Sequence, residues 1–269
     1  MNDALYWIML KQEGKKILTY SLGFVLYEGL ISFVYPIIIQ SPAIEELPKS
    51  FPSVVKRAFG VGTGEDVDLS YETYISAQLF GRLWTLIMSI YGINTVDSLV
   101  AAPIEQGSMA YLISSPVSRS EILNTQIGVL LTELALVTGT TMCGVYAATA
   151  YNDITIVRWQ YFRLGTLAFS LCSAISAYSL LLAVLFDADE EATRYASAIT
   201  VVFYGLDVVA SLNDRYSGLK YLTPFSLFRP QEVLQGKAIP TKECLILALI
   251  TGVTLVIAGI LFSRKDLAV

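Results

Sequence analysis

The chain has 269 residues, 54% hydrophobic and 15% charged, with a formal net charge of -5 and no histidine. A mean hydropathy of +0.58, with far fewer charges than the quarter or so of a soluble domain, marks a polytopic membrane protein. The negative balance, with no cluster of Lys and Arg, excludes nucleic acid as a partner, and the absence of histidine excludes Ser/His and Cys/His nucleophiles and His-liganded metals.

The first sixteen residues, "MNDALYWIMLKQEGKK", place their charge after their apolar positions, the reverse of a signal peptide. They predict an interfacial helix over 1–16, with Leu5, Trp7, Ile8 and Leu10 toward lipid or protein and Lys11, Lys15 and Lys16 at the headgroups. Six apolar segments are then long enough to span a bilayer, which takes about 20 residues each. They run over about Ile17 to Ile39, Tyr74 to Val100, Ile127 to Ala150, Tyr161 to Phe186, Tyr195 to Leu212 and Cys244 to Phe262. The fifth is the shortest and contains Asp207.

Residues 40–73 form a polar connection, with Pro42, Pro48 and Pro52, ending in "FGVGTGED". That run is a turn and not a phosphate loop, because acids follow its last glycine where a Walker motif needs Lys and Ser or Thr. The acidic "DADEEATR" at 187–194 lacks the glycine and ligand spacing of a calcium loop and reads as a solvated helix start. Small residues in "SLCSAISAYS" make the fourth span the best site for close helix packing. Residues 213–242 are too broken by proline to span and are expected to be extracytoplasmic or re-entrant. Cys143, Cys172 and Cys244 are far apart and read as small core residues.

The polar insert 105–122, "EQGSMAYLISSPVSRSEI", interrupts this pattern. Glu105 to Ile113 predicts a short helix with Met109, Leu112 and Ile113 on one face, ended by Pro116, and Ser118 with Glu121 forms a capping box for the third span. The stretch "EQGSMAYLISSPVSRSEIL" resembles the loop between the second and third spans of ABC-2 type transporter permeases: an acid, a glycine, an apolar pair, a Pro-x-Ser-Arg turn, then a Glu-Ile that opens the next helix. "LTPFSLF" and the carboxyl-terminal "FSRKDL" resemble the endings of the same family. The resemblance implies a cytoplasmic coupling helix that docks in a separate ATPase, with Glu105, Gly107, Met109, Leu112, Pro116, Arg119 and Glu121 as coupling residues. Where family members often carry a lysine early in the third span this chain has Gln126, so that anchor is missing.

Ionisable groups inside spans mark pairing or function. Glu28 lies near the middle of the first span and Arg82 in the outer third of the second, so the two either pair or line a polar pathway. Asp97 and Glu133 fall toward the inner ends of their spans and are further pathway candidates. Basic residues close to the first and last spans put both termini in the cytoplasm, although seven basic residues then lie inside against ten outside.

These readings define one all-α polytopic membrane domain over 1–269, with six transmembrane helices, an interfacial helix and a coupling helix between the second and third spans. The resemblance implies a plasma-membrane permease of an ATP-driven exporter, working as a dimer with itself or a sister permease, without ATPase motifs, catalytic residues or a metal of its own. ATP and Mg belong to the partner ATPase. A proton-coupled secondary transporter using the intramembrane carboxylates is the alternative.

Overall fold

The computed structural model describes residues 2–39, 70–105, 117–186, 189–212 and 214–264. Among them there is helix and no strand, and six helical stretches are long and apolar enough to cross a membrane. Helix α1 covers Asp3–Ile39 without a break. At 37 residues it is about 55 Å long against a hydrocarbon layer of about 30 Å. The segment expected at the surface is therefore one rod with the first span.

The second span is built in pieces: α2 (Tyr71–Ile75), a π turn over Ser76–Phe80, α3 (Leu83–Val96), a second π turn over Asp97–Ala101, and α4 (Ala102–Glu105). At the first junction a Cβ on Gly81 would stand 2.8 Å from the Ser76 carbonyl oxygen, so only glycine fits. A π turn displaces carbonyls from the regular ladder, and side chains of other spans meet them. The Tyr27 hydroxyl donates to Gln78 O at 3.5 Å, and the Gln126 amide donates to Leu99 O at 2.5 Å.

Helix α5 (Arg119–Tyr151) starts at the expected capping box, in which Ser118 and Glu121 satisfy each other's backbone amides. It is followed by α6 (Arg158–Leu185), α7 (Asp189–Leu212), two 3-10 segments (Asp214–Leu222 and Pro224–Leu227), α8 (Pro230–Leu234) and α9 (Thr241–Arg264). The fifth span thus begins six residues before the expected Tyr195, within the acidic run.

Helices α1 and α5 are parallel neighbours: Asn2 N donates to Thr125 Oγ1 (3.1 Å), the Tyr6 and Thr132 hydroxyls meet at 2.8 Å, and Thr140 Oγ1 donates to Ser21 Oγ (2.9 Å). The second span runs antiparallel to α1, pairing Tyr20 with Tyr91, Phe24 with Trp84 and Ser32 with Tyr71. Helix α6 is the most buried span, and α9 packs along it. Its small-residue stripe serves close packing within the chain, since Gly92 of α3 lies so near Ser176 that a Cβ would sit 2.4 Å from Oγ. The broken segment after α7 folds back onto the bundle, where Phe228 stacks on Trp84 and Gln235 donates to Thr73 Oγ1 at 2.9 Å.

Candidate functional site

The buried charges lie where α1, the second span and α5 meet. Counting back from Glu28 by fours gives Phe24, Tyr20 and Lys16, one face of α1 that turns toward the bundle. Lys16 therefore corrects the expectation of a headgroup lysine. Its Nζ bridges Glu13, lies 3.5 Å from Glu133 Oε2, donates to Ser98 Oγ at 3.4 Å and stands 5.4 Å from the centre of the Tyr91 ring. Lys11 and Lys15 point outward.

Glu133 is fully buried. Its Oε2 accepts from the Tyr91 hydroxyl at 2.8 Å and from Thr95 Oγ1 at 3.3 Å. Three helical stretches thus converge on one carboxylate, through a cation that reaches in from near the membrane boundary. A charge in lipid is costly unless paired and hydrogen-bonded, and this cluster meets both conditions at Oε2.

Glu28, two-thirds of the way along α1, is also fully buried, but no described group hydrogen-bonds to either of its oxygens. Its Oε2 points at Gly144 of α5, where a Cβ would lie only 1.9 Å away. Gly144 makes the room that the carboxyl group occupies. The expected pair with Arg82 does not form. Arg82 stands at the N-cap position of α3, at the break in the second span, without a side-chain cap, and its guanidinium instead reaches Ser211 Oγ of α7 at 3.5 Å. Asp207 on the same helix lies close enough for its charge to interact with Arg82.

Asp97 opens the second π turn, and its Oδ1 accepts from Thr193 Oγ1 of α7 at 2.6 Å. It faces the fourth and fifth spans, away from Glu133. The four candidate intramembrane charges thus occupy separate contacts: Glu133 and Glu28 at different levels of the α1–α5 seam, Asp97 and Arg82 on α7. Gln126, which stands where a lysine was expected, is buried and ties α5 to the second π turn.

The polar insert lies between α4, which ends at Glu105, and α5, which begins at Arg119. Gly107, Met109, Leu112 and Pro116 lie outside the described residues, while Arg119 and Glu121 occupy the first turn of α5. The parallel packing of α1 with α5 and of α6 with α9 puts residue 2, the start of α5 and Arg264 at one end of the bundle.

Tyr91, Thr95 and Ser98 were not singled out from sequence, and Lys16 was placed at the headgroups, although the face it shares with Glu28 carries the signal. Among the described residues no group of three or more His, Cys, Asp and Glu side chains could hold a metal ion. A family model described as ABC-2 family transporter protein matches residues 22–267. No curated protein matches the chain.

Proposed function

Since the chain belongs to the ABC-2 family of transporter proteins, we propose that it is the permease subunit of an ATP-driven exporter, in the plasma membrane with both termini cytoplasmic. A separate ATPase binds ATP and Mg and engages residues 105–122, and a second permease chain completes the pathway. The match over 22–267 is the observation that carries this reading.

The local architecture supports a lever at the insert. On one side the chain enters it through the π turn Asp97–Ala101 and the short α4, and on the other it leaves through a capped first turn of a 33-residue helix. A π turn breaks the regular hydrogen-bond ladder and is a place where helices kink, and a capping box holds the first turn of the next helix together. Gln126 links the two arms, so a push on the insert moves the second and third spans together. Exposed apolar side chains along α1 and α9, such as Leu22, Leu26, Leu249 and Val253, suit lipid or the second permease.

The test is to tag the chain, extract it gently and identify what co-purifies. An ATP-binding subunit is expected, retained by the unaltered protein and lost when residues 106–116 are replaced by a Gly/Ser linker. Purification of the chain alone in several mild detergents would overturn the reading.

A further inference from the structure

Helices α6, α7 and α9 leave a cleft of about 620 Å³ between them, within the usual size range of small-molecule sites. Its walls are apolar, with Leu181 from α6, Ile199 and Phe203 from α7, and Ile246 and Ile250 from α9. Ile246 and Ile250 are exposed, as are Tyr221 and Leu222 at the rim, so the cleft opens sideways toward the region that lipid occupies. One end is different in kind, because Lys220 and Arg229 line it.

That rim is held in place by its own chain. Ser226 Oγ donates to the Lys220 carbonyl at 2.5 Å, and Arg229 Nε donates to Ser226 O at 3.3 Å. The acids nearby are Glu232, 3.5 Å from the Arg229 guanidinium, and Asp207, whose charge interacts with Arg82, Lys220 and Arg229. Three cations thus share two acids among the described side chains, and the rim keeps a positive excess.

We propose that this cleft binds one anionic lipid from the surrounding leaflet, with an acyl chain between α6, α7 and α9 and its phosphate at Lys220 and Arg229. Apolar walls open to the bilayer favour a chain-bearing ligand over a free anion, which would leave them in contact with water. The positive excess favours an anionic over a zwitterionic headgroup, as in other basic pockets between membrane helices. The site is separate from the Glu28 and Glu133 contacts and does not depend on ATP coupling.

The test places the full-length protein in phosphatidylcholine vesicles containing a trace of phosphatidylglycerol with a photoreactive acyl chain, and maps the attachment sites. Labelling is expected within residues 174–182, 199–203 and 246–250. It should fall about thirtyfold in the double variant Lys220→Gln, Arg229→Gln, the scale expected for removing two cations near a lipid surface at about 1 kcal/mol each. Photoreactive phosphatidylcholine should label both proteins weakly and alike. Ile199→Trp, which fills the cleft and leaves the rim intact, should also reduce phosphatidylglycerol labelling, and this arm decides the question if the double variant does not fold. Equal labelling by the two lipids, undiminished labelling in the folded variants, or protection of 246–250 by a second copy of the chain would each overturn the proposal.

Discussion

The α1–α5 seam holds two fully buried carboxylates about 18 Å apart along α1, taking Lys16 as the level of Glu133, and they are treated in opposite ways. Glu133 collects a lysine, a tyrosine and a threonine at one oxygen, whereas Glu28 points at a glycine and takes no hydrogen bond from any described group. Burial alone therefore does not say what an intramembrane acid is for. The partnered acid fastens three helices together. The unpartnered one costs stability where it stands, which makes Glu28 the better candidate for a role beyond structure.

The largest effect should follow from breaking the partnered site. Lys16→Met leaves Glu133 buried without its cation and should destabilise the protein by about 3 kcal/mol, the low end for a broken buried pair, because the Lys16 side chain keeps 21% exposure. The double variant Lys16→Met, Glu133→Leu should recover most of that loss. Unfolding in a mixed-micelle denaturant titration measures both, and a double variant no more stable than the single would mean that the pair is not what holds the seam.

At Glu28 the size of the expected effect depends on background. Gly144→Ala drives a methyl group into the Glu28 carboxyl group and should cost about 2 kcal/mol, as overpacking does. In a Glu28→Ala background the same substitution should be nearly neutral. An equal cost in both backgrounds would show that Gly144 serves helix packing and not the acid.

The six spans were legible because each carries an apolar run of spanning length, and the capping box at Ser118 because its two residues are local. The breaks in the second span were not legible, since a π turn has no fixed residue pattern and its displaced carbonyls are met from other spans. The Glu28–Arg82 pair failed for a related reason. The turn at Gly81 and Arg82 swings the guanidinium to α7, and a sequence gives no azimuth across such a break. Lys16 was misplaced because its nearness to the span end outweighed the face it shares with Glu28.

A smaller effect sharpens the contrast between the two π turns. Gln126→Leu leaves Leu99 O without its 2.5 Å donor and should cost about 1 to 2 kcal/mol, the penalty of an unsatisfied buried acceptor. Tyr27→Phe removes a longer bond of 3.5 Å to Gln78 O and should cost less. Equal losses would mean that the two turns are stitched alike and that the one beside the insert has no special support.

The smallest effect lies at the insert itself. Ser118→Ala removes the acceptor for the Glu121 amide, 3.2 Å away, and one of the two donors to the Glu121 carboxylate. A lost N-cap costs about 1 kcal/mol, and it should appear as roughly fivefold faster amide exchange confined to the first turn of α5, because cap effects fade within a turn. Exchange around Glu133, three turns further along, should stay unchanged while transport coupled to ATP hydrolysis falls. That separation distinguishes a lever from a mere joint: if transport is normal although the first turn frays, displacement of the insert does not pass through the start of α5, and the second span with its π turn must carry it alone.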